Sequence, residues 1–103
     1  MRLATALLLV AAPATAQDMS STEVAIGLGN VLASEEPCGL SYDHEAIDSF
    51  VSENVDPSDM SFASTLGMMT KGAALEVGEL TGSQLRAHCA AIRQTAKSYG
   101  FVE

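Results

Sequence analysis

The chain contains two cysteines, Cys38 and Cys89, and a bond between them would close a loop of about 51 residues, roughly half of the sequence. In the chain-entropy treatment, closing a loop of this length removes denatured-state entropy worth about 4 kcal/mol. A domain of about 90 residues has a thin core and modest stability, so a contribution of this size can decide whether it folds. The fold therefore depends on whether the chain meets an oxidising environment.

The N-terminal sequence MRLATALLLVAAPATA has the pattern of a signal peptide. Arg2 is followed by an apolar run of about ten residues, which is shorter than the roughly 20 residues needed to span a bilayer. Small residues precede a cleavage site between Ala16 and Gln17. We expect residues 1–16 to be removed as a signal peptide and residues 17–103 to form a single domain, periplasmic or secreted.

In such a compartment, two cysteines predict a disulfide between Cys38 and Cys89. The alternative is a zinc site in which His44 and His88 join the two cysteines. The spacing between Cys38 and His44 does not match the short loops of structural zinc sites, and adjacent helical residues point about 100° apart. The disulfide is the stronger prediction.

The charge balance is strongly acidic. The full chain carries a formal net charge of −8, and loss of Arg2 leaves four Lys and Arg against thirteen Asp and Glu, which is −9. Nucleic acids and anionic membranes bind basic surfaces, so neither is an expected partner, and we expect no membrane insertion after cleavage. The balance suits a soluble protein or one with cationic partners.

Apolar residues recur at helical intervals along the mature chain, and no segment alternates as a strand would. The pattern predicts an all-α fold, a compact bundle of four to five short helices closed by one disulfide. The first helix covers about 20–34, where Ser20 and Glu23 have capping-box spacing. Ser41 or Asp43 can cap the second helix. The apolar faces of these two helices are Val24, Leu28, Val31 and Leu32, then Ala46, Ile47, Phe50, Val51 and Val55.

The second half of the chain contains the signals for two further helices. Asp56 followed by Pro57 predicts the start of a third helix, which glycines should kink or split near Gly72. Thr81 and Gln84 have capping-box spacing ahead of a last helix. Gly100 should end that helix, with Phe101 folding back onto it. The apolar faces are Phe62, Leu66, Met69, Ala73, Val77 and Leu80, then Leu85, Cys89, Ile92, Ala96 and Tyr99.

No motif predicts catalysis, so we expect no enzymatic activity, catalytic residue or cofactor. His44 and Asp48 lie one helical turn apart, as many solvated surface pairs do. Soft thioethers select Cu(I), but the methionines form no repeated short motif, and Met69 lies on an apolar face. The methionines considered as copper ligands are Met19, Met60, Met68 and Met69.

The architecture resembles the HdeA-type periplasmic acid-stress chaperones, which are small exported helical proteins with one disulfide. The resemblance rests on the signal peptide, on Cys38 ahead of a helix, and on Cys89 within LTGSQLRAHCAAIRQTAKSYGF. The chain is also similar to uncharacterised small exported proteins with an EPCGLSYD-type segment. The residues around Cys38 do not follow the chaperone pattern, so only the cysteine pair is carried over.

The resemblance implies a non-enzymatic protein-binding role, with acid protection as the leading function. Protonation of the thirteen carboxylates changes the net charge from −9 to about +7 on reference pKa values. Acid would then loosen the packing and expose apolar faces to unfolded clients while the disulfide keeps the chain compact. The alternative is an accessory subunit that docks on an envelope protein complex. A homodimer that hides an apolar face fits either function.

Overall fold

Within residues 20–103, the part of the chain that the computed structural model describes, the backbone forms four α-helices and no strand. The helices are α1 (Ser21–Ala33), α2 (His44–Asn54), α3 (Phe62–Gly78) and α4 (Gly82–Ser98). The all-α prediction is confirmed, and the number of helices is four, the lower end of the predicted four to five. The predicted signal peptide, 1–16, lies outside the described residues. Over 20–103, no helix is both long enough and apolar enough to cross a membrane.

Local side-chain caps begin the first two helices, as predicted. The Ser20 hydroxyl accepts a hydrogen bond from the Glu23 amide at 3.2 Å, which caps α1. Asp43 caps α2 by accepting from the Glu45 amide at 3.0 Å. Each cap satisfies an amide that lacks a partner in the first helical turn.

The start of α3 differs from the position predicted from the sequence. Asp56 and Pro57 do not begin the helix, which starts five residues later with Ser61 at its N-cap position. Asp56 instead bonds to Ser58 two residues ahead, so its side chain stabilises a turn that competes with helix. The predicted split near Gly72 is also wrong, because α3 continues without interruption to Gly78.

The last helix follows its prediction closely. Thr81 and Gln84 form a reciprocal capping box, with bonds of 2.9 and 3.4 Å. At the other end Gly100 adopts a φ of +83°, which L side chains rarely adopt. The amide of Phe101 then donates to the Ala96 carbonyl at 2.9 Å. This is a Schellman end, and it returns the Phe101 ring to the core, where it is 1 % exposed.

The core forms around α1, whose apolar face is almost completely buried, and α1 packs chiefly along α3. Four aromatic rings close the core at the C-terminal end of α4. Phe50 of α2 stacks on Tyr99 at 4.3 Å between ring centroids. Phe101 meets both rings edge-on, and Tyr42 lies 5.6 Å from Phe101. The buried apolar cluster is Val24, Ala25, Leu28, Val31, Tyr42, Phe62, Ile92, Ala96 and Phe101.

The predicted disulfide joins the turn after α1 to the middle of α4. The Sγ atoms of Cys38 and Cys89 lie 2.07 Å apart, and the Cα atoms 5.3 Å apart. Cys38 lies six residues before the first residue of α2. The disulfide therefore fixes α4 to the end of α1.

Candidate functional site

The connection between α2 and α3 is built from two successive Asp-x-Ser turns. Asp56 Oδ1 accepts hydrogen bonds from the amide and hydroxyl of Ser58, at 2.9 and 2.8 Å. Asp59 Oδ1 accepts the same pair of bonds from Ser61, at 3.0 and 2.8 Å. Each carboxylate thus fixes the backbone two residues ahead of it. The two turns give this connection a defined shape although it contains no helix.

Hydrogen bonding also sets the acidity of the two carboxyl groups. The amide and hydroxyl of Ser58 hold the pKa of Asp56 below its ordinary value of 3.8. The hydroxyls of Ser21 and Ser61 and the Ser61 amide do the same for Asp59. Both groups are therefore charged at neutral pH. Ser21 is the first residue of α1, so the acidity of Asp59 also depends on that helix.

An open groove of about 640 Å³ lies between the end of α2, this connection and the start of α3. We call it the α2–α3 groove. Its lining is mainly apolar, and Met60 within it is 89 % exposed. Carboxylates of Asp48, Asp56 and Asp59 also line it. The apolar lining residues are Val51, Val55, Pro57, Met60, Phe62 and Ala63.

The charge around the α2–α3 groove has one sign. Six Asp and Glu residues occur between positions 43 and 59, and the sequence contains no Lys or Arg between positions 3 and 70. Carboxylates beside an apolar surface attract a cation, and the attraction is stronger than in bulk water because the apolar side excludes solvent. The groove therefore suits a ligand that is both apolar and positively charged.

The structure separates the four residues of the zinc site that was considered as the alternative to the disulfide. The disulfide uses both cysteine sulfurs, so the four-ligand zinc set of Cys38, Cys89, His44 and His88 is wrong. His44 is the exposed first residue of α2, and His88 bonds within the fold. Over residues 20–103, no three His, Cys, Asp or Glu side chains are arranged to hold a metal ion.

The methionines considered for copper also separate. Met60 lies in the α2–α3 groove and Met69 packs against the core, as its position on the apolar face predicted. Met68 is 68 % exposed and shares the outward face of α3 with Leu75, seven residues later. Met19 lies outside the described residues.

A partly buried serine–histidine pair lies beside the disulfide and was not predicted from the sequence. Ser34 has no exposed surface, and its hydroxyl donates to the Asn30 carbonyl at 2.7 Å. Because that bond uses its only proton, Ser34 must accept from Nε2 of His88, 2.8 Å away. A buried hydroxyl whose proton points away from the imidazole is not activated for attack. The pair therefore joins α4 to the end of α1 and is not a catalytic dyad.

No family model, curated protein or solved structure matches this chain. The candidate site is thus defined by its geometry alone.

Proposed function

We propose that residues 17–103 form a non-enzymatic, exported protein-binding domain, and that the α2–α3 groove binds an apolar, basic segment of another protein. The observation that carries the proposal is the combination in one groove of an apolar lining and three carboxylates. Export rests on the predicted signal peptide and agrees with the disulfide, since structural disulfides persist in oxidising compartments. In this form the domain acts as an accessory subunit with a fixed partner.

Two contributions support binding in this groove. Burial of an exposed side chain such as Met60 yields about 25 cal/mol per Å² of apolar surface removed from water. The carboxylates attract Lys and Arg side chains of the partner, increase the association rate and disfavour acidic partners. Because exposed charges are screened by salt, we expect affinity to decrease between low and physiological ionic strength.

A direct test uses a fluorescent amphipathic peptide of Leu and Lys, with a Leu–Glu peptide of equal length as the control ligand. Fluorescence anisotropy at pH 7 should show binding of the first peptide only. Asp48→Asn and Met60→Ser should each weaken binding about three- to tenfold, because the first reduces the charge attraction and the second the apolar contact.

Matched variants test whether the effect is local to the groove. Glu36→Gln removes an exposed carboxylate, and Met68→Ser removes an exposed methionine, in both cases away from the groove. Both should bind the Leu–Lys peptide with unchanged affinity. Equal binding of the two peptides, or equal losses in groove and control variants, would refute the proposal.

A second candidate is an acid-stress chaperone similar to the HdeA type, and one observation favours it. Asp56 and Asp59, whose pKa values are lowered by hydrogen bonds, hold the connection that forms one side of the groove. Their protonation removes the charged acceptor from both turns, which loosens this side and widens access to Phe62 and Val55. The two candidate functions use the same groove but differ in the pH at which the groove binds protein. An accessory subunit binds at pH 7, whereas a chaperone holds unfolded clients only in acid.

A further inference from the structure

A second groove, of about 790 Å³, opens beside the disulfide and shares no lining residue with the α2–α3 groove. Cys38 and Cys89 both line it and both are half-buried, so the groove gives solutes a path to the disulfide. Arg86 and Arg93 line the same groove and are exposed. The disulfide is therefore an accessible group in a cationic surface, and not only a covalent link within the core.

The position of the two arginines is set by the helix. Arg86 lies three residues before Cys89 and Arg93 four residues after it, so both side chains neighbour that cysteine on the α4 surface. The sequence of α4 contains no Asp or Glu, although the whole chain carries −8. Two arginines at neighbouring positions of the helix surface put positive charge in the groove that Cys89 lines, and positive charge near a cysteine favours its thiolate over the thiol.

We propose that the Cys38–Cys89 disulfide accepts two electrons from anionic thiols that bind in this groove. The thiolate attacks Sγ of Cys38, the bond between the cysteines breaks, and Cys89 leaves as a thiolate held between Arg86 and Arg93. A second thiolate then attacks the external sulfur of the mixed disulfide, which forms the external disulfide and releases Cys38 as a thiolate that takes a proton from water. One external disulfide forms for each Cys38–Cys89 bond reduced, so atoms and electrons balance.

Two features select Cys38 as the sulfur that is attacked. Cys38 lies in a turn, outside any helix, so it can move once the bond opens, whereas Cys89 is fixed within α4. The better leaving group is the sulfur whose thiolate is more stable, and the arginines neighbour Cys89. Local positive charge also favours negatively charged thiols, although the net charge of the chain repels them.

The experiment compares the reduction of the native protein by mercaptoacetate, 2-mercaptoethanol and cysteamine, which are anionic, neutral and cationic, at equal thiolate concentrations. The second-order rate constant, followed by mass spectrometry after acid quench and divided by that of the same thiolate with uncharged 2-hydroxyethyl disulfide, should be largest for mercaptoacetate. Arg86→Gln together with Arg93→Gln should lower that constant about two- to tenfold, since each exposed charge contributes modestly. Lys71→Gln, a charge loss on α3 that does not line the groove, should leave it unchanged.

Peptide mapping of the trapped intermediate should place the mercaptoacetate adduct on Cys38. Three results would overturn the proposal: a reaction fastest with cysteamine, an adduct chiefly on Cys89, or equal effects of the arginine and Lys71 variants. A rate independent of thiol concentration would also overturn it, because the disulfide would then react only after unfolding. None of these measurements depends on ligand binding in the α2–α3 groove.

Discussion

Tyr42 connects three parts of the molecule through one side chain and one amide. Its hydroxyl donates to the Val31 carbonyl at 2.7 Å, and its backbone amide donates to the Glu35 carboxylate at 2.7 Å. The ring packs against Phe101 in the core. No hydrogen bond of Tyr42 was predicted from the sequence. A buried hydroxyl partner 11 positions away is a tertiary contact that helical periodicity does not encode.

Tyr42 should make the protein sensitive to alkali. Burial, and then the charge of Glu35, raise the pKa of Tyr42 from its ordinary value of 10.0 to about 12. The unfolded chain therefore loses this proton at lower pH than the folded chain, and stability falls as pH rises from about 10 to about 12. At about 1.4 kcal/mol per pH unit, the loss is roughly 3 kcal/mol.

Urea unfolding of wild type at pH 8, 10 and 11 measures this loss. Tyr42→Phe should cost about 1 kcal/mol at pH 8, because the bond to Val31 is removed, and should show a smaller further loss at pH 11. Tyr99→Phe retains Tyr42 and should keep the full alkaline loss. Equal alkaline slopes in wild type and Tyr42→Phe would show that Tyr42 is not the responsible group.

Among the helices, the approach of α1 to α3 is set by a single missing side chain. A Cβ added at Gly29 would lie 3.0 Å from Cβ of Met69 and 3.1 Å from the backbone nitrogen of Thr70. Glycine inside a helix is destabilising relative to alanine, so Gly29 weakens α1 considered alone. Close packing of α1 on α3 offsets this cost, because the absence of Cβ at Gly29 lets the two helices approach each other.

Alanine substitutions at two glycines should therefore change the stability of the protein in opposite directions. Gly29→Ala should destabilise the protein by about 1–3 kcal/mol, since the neighbouring backbone of α3 must move. Gly72→Ala should stabilise it by about 0.5–1 kcal/mol, because a Cβ there meets nothing within 4 Å and alanine favours helix. Chemical denaturation of both variants measures the change in the free energy of unfolding. Stabilisation by Gly29→Ala would mean that α1 and α3 are not in the close contact described.

Prediction of the helices succeeded where the signal was local and failed where two local signals compete. The capping box of Thr81 and Gln84 and the Gly100 stop are each complete within a few residues, so α4 was predicted almost to the residue. Asp56 followed by Pro57 also fits a helix start, but the serine two residues after Asp56 offers its amide and hydroxyl to the same carboxylate. The choice between turn and helix depends on packing that the sequence does not display.

On the scale of the whole molecule, charge is distributed unevenly around a small disulfide-closed core. The stretch from 43 to 59 has only acidic charges and α4 only basic ones, which gives the two grooves opposite character. Composition revealed the excess of acid, but not that apolar residues of α2 and α3 would meet beside Asp48, Asp56 and Asp59. The homodimer expected from the sequence stays a prediction, and the exposed Met68 and Leu75 on α3 are outside both grooves.

The connection between α2 and α3 should be an acid-sensitive part of this molecule. Hydrogen bonds lower the pKa values of Asp56 and Asp59 below 3.8 in the fold. These bonds stabilise the folded state fully above the unfolded pKa, and their contribution is lost as pH falls through the lowered folded values. We therefore expect Tm to decrease from about pH 5 downwards, with a hydrophobic dye signal that increases before far-UV circular dichroism shows loss of helix.

Asparagine at positions 56 and 59 separates the effect of carboxylate protonation from the effect of side-chain shape. Asp56→Asn with Asp59→Asn keeps an oxygen acceptor for each turn but removes the charge, so the fold at pH 7 should be retained with a lower Tm. Below pH 5 the Tm of this variant should fall less steeply than that of wild type, while Glu36→Gln should follow wild type. If the double variant and wild type lose Tm in parallel, the acid response originates elsewhere. If wild type binds no dye down to pH 2, the acid-chaperone candidate fails and the groove at neutral pH remains the binding surface to test.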